Sequence, residues 1–311
     1  MNRTVVLTGG VGGAKLVLGL MRVCPAEEIT AIVNTGDDFR HLGLTISPDI
    51  DTLLYTLSGK ANAVQGWGRE GESWGFMEAL KSLRGEDWFL LGDGDMALHV
   101  LRSHLLASGE TLSEVTTRFA AAWGLDLTIL PMSNDAVATH VMTDEGELAF
   151  QRYFVERRCA PAVRAIRFDG AEAAAPAPGV IEAISDPATR AILIAPSNPW
   201  LSVDPILAVP GIREALEAAS APVVAVSPIV GGAAVKGPTA KLMGEMGLAV
   251  TNASIADHYA GLIDGLLVDE RDDVEGLTVA HAVTDTLMKT LEDRERVARA
   301  ALALADRLAA G

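Results

Sequence analysis

The sequence predicts an α/β fold of Rossmann-like type: a mostly parallel sheet flanked by helices, with inserted segments. Three observations carry that reading. The chain opens as strand, glycine loop, helix and strand, the start of a parallel α/β sheet. Short apolar runs then recur, each ending in a small, polar, loop-rich segment. Glycine is plentiful, 30 of 311 residues, and aromatics are scarce at 5%, a balance that suits many tight turns better than an all-β sandwich.

Taken in order, the β-branched run Thr4–Leu7 enters Gly9-Gly10-Val11-Gly12-Gly13, and a helical pattern follows from Ala14 to about Arg22. The run Ile29–Val33 stops at Asn34-Thr35-Gly36-Asp37-Asp38. Ser47-Pro48-Asp49 then opens a helix over Asp51–Leu57, with Ser47 as N-cap and Pro48 at the first helical position. Trp88–Leu91 reads as a strand leading into Gly92-Asp93-Gly94-Asp95 and a helix through Leu106. Leu127–Leu130, Ala191–Ala195 and Pro222–Val226 are further strands, ending in Pro131–Asp135, Pro196–Pro199 and Ser227–Gly232. Arg152, Arg157, Arg158, Arg164 and Arg167 cluster in a chain otherwise poor in bases, and AEAAAPAPG (171–179) reads as a surface connection. The expected organisation is one α/β domain over 1–311, with an inserted subregion at about 140–180 and a C-terminal packing helix over 289–310.

At 49% hydrophobic and 21% charged, the chain can bury a sizeable core. Forty-one acids against 25 bases give a net charge of −16, which repels nucleic acid and anionic membranes, so neither is an expected partner. An anionic substrate requires a locally basic or metal-loaded site. Cys24 and Cys159 form no metal-type spacing, and no signal peptide or membrane span is read, so the expected location is cytoplasmic. A homodimer is left open.

The chemistry-bearing residues lie at the strand ends, where open α/β sheets bind ligands. Gly10-Val11-Gly12-Gly13-Ala14-Lys15 is neither a GxGxxG fingerprint nor a P-loop, yet it is a side-chain-free turn opening a helix, with Lys15 in its first turn. Helix-start amides and that lysine favour an anion. Asp37, Asp38, Asp49 and Asp51 put four carboxylates within fifteen residues, which repel unless neutralised. Oxygen-only ligands suit Mg²⁺. Asp95 reads equally as a helix N-cap or a site residue, and His41 and His99 lack the spacing of a zinc site. Nothing resembles a Ser-His-Asp triad.

The segments GGVGGAK (9–15), NTGDD (34–38), ISPDIDTLLYTLSG (46–59), GWG (66–68), LGDGD (91–95), LPMSND (130–135), APSNP (195–199) and SPIVGGAAVKGP (227–238) together resemble the 2-phospho-L-lactate transferase family of coenzyme F(420) biosynthesis, over nearly the whole chain. The resemblance implies an Mg²⁺-dependent transfer of a three-carbon phospho-acid, such as 2-phospho-L-lactate or phosphoenolpyruvate, from a GDP-activated form to the hydroxyl of the deazaflavin Fo, with GMP released. Asp37 and Asp49 are then the expected metal ligands, and Asp37 and Asp51 the catalytic residues, Asp51 as proton acceptor. The expected substrate contacts are Gly10, Gly12, Gly13, Lys15, Asp49, Asp51, Trp67, Asp93, Asp95, Ser197, Asn198, Ser227, Gly231, Gly232 and Lys236. Gly94 stands where the family often has Arg, which removes a fixed cation; Arg69, Arg102 or one of the Arg152–Arg167 group are candidates to replace it. Two other classes are kept: a regulatory or sugar-nucleotide-binding relative without transferase activity, and, more weakly, a nicotinamide-dependent oxidoreductase.

Overall fold

The computed structural model describes residues 2–62, 67–234 and 237–311. Its strands are β1 (Arg3–Thr8), β2 (Ile29–Val33), β3 (Phe39–His41), β4 (Leu44–Ile46), β5 (Thr128–Pro131), β6 (Ala138–Thr143), β7 (Gly146–Ala149), β8 (Val163–Asp169), β9 (Thr189–Ile194), β10 (Val223–Val226), β11 (Ile229–Val230), β12 (Ala233–Ala234), β13 (Gly265–Asp269) and β14 (Ala280–Thr284). Seven of them form a parallel sheet in the order β14-β13-β10-β9-β1-β2-β5. From β1 the chain winds one way through β2 and β5; from β9 it winds the other way through β10, β13 and β14. The order therefore reverses between β1 and β9, and the loops leaving those two strands flank the crevice that such a reversal opens.

Side chains on the central strands alternate between two layers. Val5 and Leu7 of β1 join a core with Ile32, Ile192, Ile194 and Tyr153. Val6 faces the other way, onto Leu16, Leu20, Leu53, Leu54 and the helix Leu291–Ala309. That second layer holds α1 (Gly10–Val23), α2 (Pro48–Leu57), α4 (Asp93–Ala107) and α5 (Leu112–Ala122), while α3 (Gly75–Ser82) packs through Met77 on a small satellite core with Ile46 and Leu91. Between β5 and β9 the chain builds an antiparallel sheet, β7-β6-β8. No helix among the described residues is long and apolar enough to cross a membrane.

Several sequence expectations are corrected. Helix α1 starts at Gly10, four residues earlier than its apolar pattern implies, because the glycines form its first turn; Lys15 consequently sits in the second turn. Helix α2 starts at Pro48 with Ser47 in the N-cap position, as the sequence reads, but the Ser47 side chain makes no capping bond: its hydroxyl donates to Asp38 instead, at 2.6 Å. Helix α4 starts at Asp93 with Gly92 in the N-cap position, so Asp95 is not the cap. Trp88–Leu91 is not a strand. Its rings cluster with Phe39 and His41, and Leu90 is exposed, so the run closes a satellite core rather than alternating across a sheet. Segment 171–179 is not a mere surface connection, since Ala171, Ala174 and Ala177 are buried at every third position. Strands β13 and β14 lie outside the sequence expectation.

Candidate active site

A cavity of about 810 Å³ lies at the strand ends beside the β1/β9 reversal. It is lined by Gly9, Gly10 and Gly12 after β1, by Asp37 after β2, by Asp49 and Asp51 of α2, by Pro196, Ser197 and Asn198 after β9, and by Ser227 after β10. Trp67, Trp88, Phe89 and Phe150 supply aromatic wall, and Lys15, Tyr55, Asp95, His99 and Arg158 add polar lining. A smaller cavity of about 220 Å³ shares Asp37, Trp88, Phe150 and Gln151 with it.

The glycines are explained by what lies against them. A Cβ on Gly9 would stand 2.6 Å from Asp49 Oδ2, and one on Gly12 would stand 2.8 Å from the Pro196 carbonyl oxygen. The β1 and β9 loops are thus in backbone contact, and Ser197 Oγ ties them by donating to the Gly9 carbonyl at 2.6 Å. Gly13 does not line the cavity; it is small because Thr8 and Ser197 side chains press on it. Gly231 and Gly232 also fall outside the lining. They form the positive-φ turn between β11 and β12, with amides bonded to Asp272. Lys236 lies outside the described residues, as does Gly66 of the GWG segment.

The acidic cluster is buried and short of counter-ions. Asp49 accepts from the Gly10 amide (2.7 Å) and from Asn34 Nδ2 (2.9 Å). Burial nonetheless pushes its carboxyl up to about 6. Burial and then the neighbouring Asp49 charge push Asp37 well above the usual carboxylate range, and Asp37 Oδ1 has no hydrogen-bond partner among the described residues. Burial also raises Asp38, whose Oδ1 is likewise unpartnered. Asp51 has a counter-ion in the fully buried Arg102, which forks onto both of its carboxylate oxygens; burial still leaves the Asp51 carboxyl above its usual range. No cluster of three or more His, Cys, Asp or Glu side chains suited to a metal occurs among the described residues.

Facing α2, helix α4 brings Asp95 against Tyr55, whose hydroxyl donates to it, with His99 Nε2 at 3.1 Å from the same carboxylate. Burial alone would raise Asp95; the bonds from His99 and Tyr55 hold it below the usual range. Asp93 points elsewhere. It accepts from Ser73 Oγ and the Gly75 and Phe76 amides, anchoring the start of α3, and does not line the cavity. Sequence reasoning weighs Arg102 and His99 singly and misses this network; its signal is the spacing 51/55 on α2 and 95/99/102 on α4. At Gly94 a Cβ would overlap the Arg69 guanidinium, which pairs with Glu72, while Glu72 accepts the Gly94 amide at 2.6 Å. Arg69 thus fills the space over position 94 without lining the cavity.

In the β9 and β10 loops, the site side chains are partly committed. Asn198 Oδ1 accepts from the Trp200 and Leu201 amides, which leaves only its unpartnered Nδ2 to offer a ligand. Ser227 Oγ donates to Asn252 and accepts from the Ile229 amide. Lys15 Nζ donates to the Met288 carbonyl at 2.8 Å.

Residues 4–306 match the family described as 2-phospho-L-lactate transferase CofD. The chain belongs to that family. It is 46% identical over 99% of both chains to a phosphoenolpyruvate transferase of Kitasatospora aureofaciens. It is 38% identical to a 2-phospho-L-lactate transferase of Methanosarcina mazei, over 94% of this chain and 97% of the relative. Among solved structures it resembles a Bacillus halodurans protein of the upf0052 family, with a TM-score of 0.65 at 18% identity over 97% of this chain and 99% of that one, a likeness of fold alone. Within the CofD family fold, the β1/β9 reversal is thus where this transferase-family chain gathers its buried carboxylates.

Proposed function

We propose that the protein transfers a phosphoenolpyruvyl or 2-phospho-L-lactyl group from its guanosine-diphosphate-activated form to the hydroxyl of Fo, releasing GMP, in coenzyme F(420) biosynthesis. One observation carries the reading most directly. A single cavity of about 810 Å³ joins a glycine-loop helix start, the neighbouring buried carboxylates Asp37 and Asp49, and an aromatic wall. That volume is near the upper end of ligand sites, roughly 300–1,000 Å³, as a site for two substrates requires. Relatives named phosphoenolpyruvate transferase reach 46% identity and those named 2-phospho-L-lactate transferase 38%, which favours phosphoenolpyruvate as the acid.

The residues present fit Mg²⁺. Asp37 offers an unpartnered buried oxygen, and Asp49 has lone pairs left after its two bonds. Two carboxylates are what this ion commonly takes from a protein when substrate phosphates and water complete its shell. Bound there, it would neutralise diphosphate charge. In this reading the amides of the α1 first turn, with Lys15, hold the diphosphate. The Asn198 amino group donates to the base, and Trp67 offers a face to the deazaflavin. Asp51, kept in place by Arg102 and raised by burial, accepts the proton as the Fo oxygen attacks the phosphorus carrying the acid. The bond from that phosphorus to the GMP oxygen breaks, and in-line placement rather than a covalent enzyme intermediate lowers the barrier.

The test is incubation with Fo, Mg²⁺ and a panel of guanylylated acids, with products read by mass, beside a fluorescence titration of Fo. The expected results are an Fo–phospho-acid diester, GMP, and saturation at about one Fo per chain. Neither transfer nor Fo binding would refute the proposal and favour a regulatory nucleotide-binding protein.

A further inference from the structure

A chain of net charge −16 that accepts a phospho-acid must place cations at the acid, and most guanidiniums near the cleft are already spent. Arg102 is committed to Asp51 and Arg69 to Glu72. Arg152 pairs with Glu86 and Glu156 and lies 4.1 Å over the Trp88 ring. Arg157 pairs with Glu145, and Arg167 with Glu147 and Asp169. Among the described residues, the Lys and Arg side chains lining the large cavity are Lys15 and Arg158. Arg158 has no ion pair or hydrogen bond to any described residue.

The backbone puts that guanidinium where it is. After the π-helical turn Arg152–Glu156, Arg158 and Cys159 are successive non-glycine residues at φ +50° and +56°, a conformation L-residues resist. The turn is fixed by the Cys159 amide donating to the Tyr153 carbonyl at 2.9 Å. Cys159 is thereby packed on the core while Arg158 lines the cavity. The same segment reaches the metal-side loop, because Gln151 Nε2 donates to the Asp37 carbonyl at 3.4 Å.

We infer that Arg158 receives the carboxylate of the transferred acid. The inference rests on the proposed transferase reading and gives a partner to the donor's carboxylate, the charged group that reading leaves without one. The diphosphate has the glycine-loop amides and Lys15; the carboxylate needs a fork of donors, and a guanidinium offers one that a lysine does not.

The experiment uses the full-length protein, its Arg158→Ala and Arg158→Lys variants, guanylylated phosphoenolpyruvate, the methyl ester of that donor, and GDP. Arg158→Ala should raise KM for the acid donor roughly ten- to hundredfold, the loss expected of charge-assisted hydrogen bonds, with kcat changed far less. Arg158→Lys should recover part of that loss. GDP and Fo affinities should stay at wild-type values, and the alanine variant should no longer distinguish acid from ester. An unchanged KM in Arg158→Ala, with wild-type protein active, overturns the inference and leaves the transferase reading standing. A loss of GDP affinity as large as the loss for the donor also overturns it, by making Arg158 a phosphate contact. Wild-type protein that binds GDP but transfers nothing removes the transferase reading and this inference with it.

Discussion

Replacing Asp49 with asparagine tests the charge balance of the site. The Asp49 carboxyl is raised from 3.8 to about 6, chiefly by burial. At 1.36 kcal/mol per unit, that is about 3 kcal/mol of folding stability forfeited once the group is ionised. The sign follows from which state holds the proton. Between 3.8 and about 6 the folded protein keeps it and the unfolded chain does not, so stability falls as pH rises through this window and the penalty is complete above it. The amide of Asp49→Asn would carry no charge. It could keep the Gly10 amide bond but would face Asn34 Nδ2 with a second amino group or turn from Gly10, losing one hydrogen bond worth about 1 kcal/mol. The net expectation for metal-free Asp49→Asn at pH 7.5 is a gain of about 2 kcal/mol, or roughly 4 °C in Tm for a chain this long. At pH 4, where the folded carboxyl is protonated and the charge penalty is gone, only the lost hydrogen bond remains and the variant should be about 1 kcal/mol less stable than wild type. Mg²⁺ should raise the wild-type Tm at pH 7.5 and leave the variant's unchanged, since the ion's carboxylate pair is broken. Scanning calorimetry of both proteins at both pH values, with and without Mg²⁺, decides the matter. A variant less stable than wild type at pH 7.5 without metal, or equal Mg²⁺ shifts in the two proteins, would refute the reasoning.

Asp37→Asn should cut turnover about 10²-fold or more while the protein stays folded, read by steady-state rates beside circular dichroism; wild-type rates with intact Mg²⁺ dependence would exclude Asp37 from the metal site. Asn198→Ala should narrow the preference for GDP over ADP, whereas Lys15→Ala should weaken both alike; calorimetry reads this, and equal GDP and ADP affinity in the wild type would exclude base readout. Gly94→Ala should push aside the Arg69 guanidinium, the far end of a flexible side chain, and change stability by no more than about 1 kcal/mol, because helix propensity offsets the displacement; urea unfolding reads this, and a loss of several kcal/mol would mean that the Arg69–Glu72 pair is held rigidly over the start of α4.

What could be read from the sequence was local in the chain. Strands β1, β2, β9 and β10 appear as short apolar runs buried on both faces and the edge strand β5 as one buried mainly on one, and each ends at a turn whose residues the chain itself announces. Trp88–Leu91 has the same composition and is not a strand, since nothing within four residues reveals that its rings find Phe39 and His41 instead of a sheet neighbour. The glycines divide for a similar reason. Gly9 and Gly12 sit at a loop-to-loop contact, Gly13 under side chains and Gly231–Gly232 in a hairpin turn, and these roles depend on Asp49, Pro196, Thr8 and Asp272, residues far away in sequence or not marked by any motif. The commitment of Asn198 Oδ1 to its own turn is equally invisible until the backbone is drawn.

The cluster after β2 and in α2 combines two opposite demands. A fold gains by pairing its buried charges, and Asp51 obeys that rule through Arg102. Asp37 and Asp38 break it, each with a buried carboxylate oxygen that no described group serves. Cation supply is not the obstacle, because Arg102 is already within the same buried region and others line the nearby segments. An arginine placed on Asp37 would satisfy the fold and close the position to an exchangeable ion and to the phosphates that must share its shell. Leaving Asp37 unpaired costs stability in the metal-free protein and keeps the crevice at the β1/β9 reversal able to bind positive charge brought in with the substrate, which is the same logic that leaves Arg158 without a carboxylate partner among the described residues on the cavity wall.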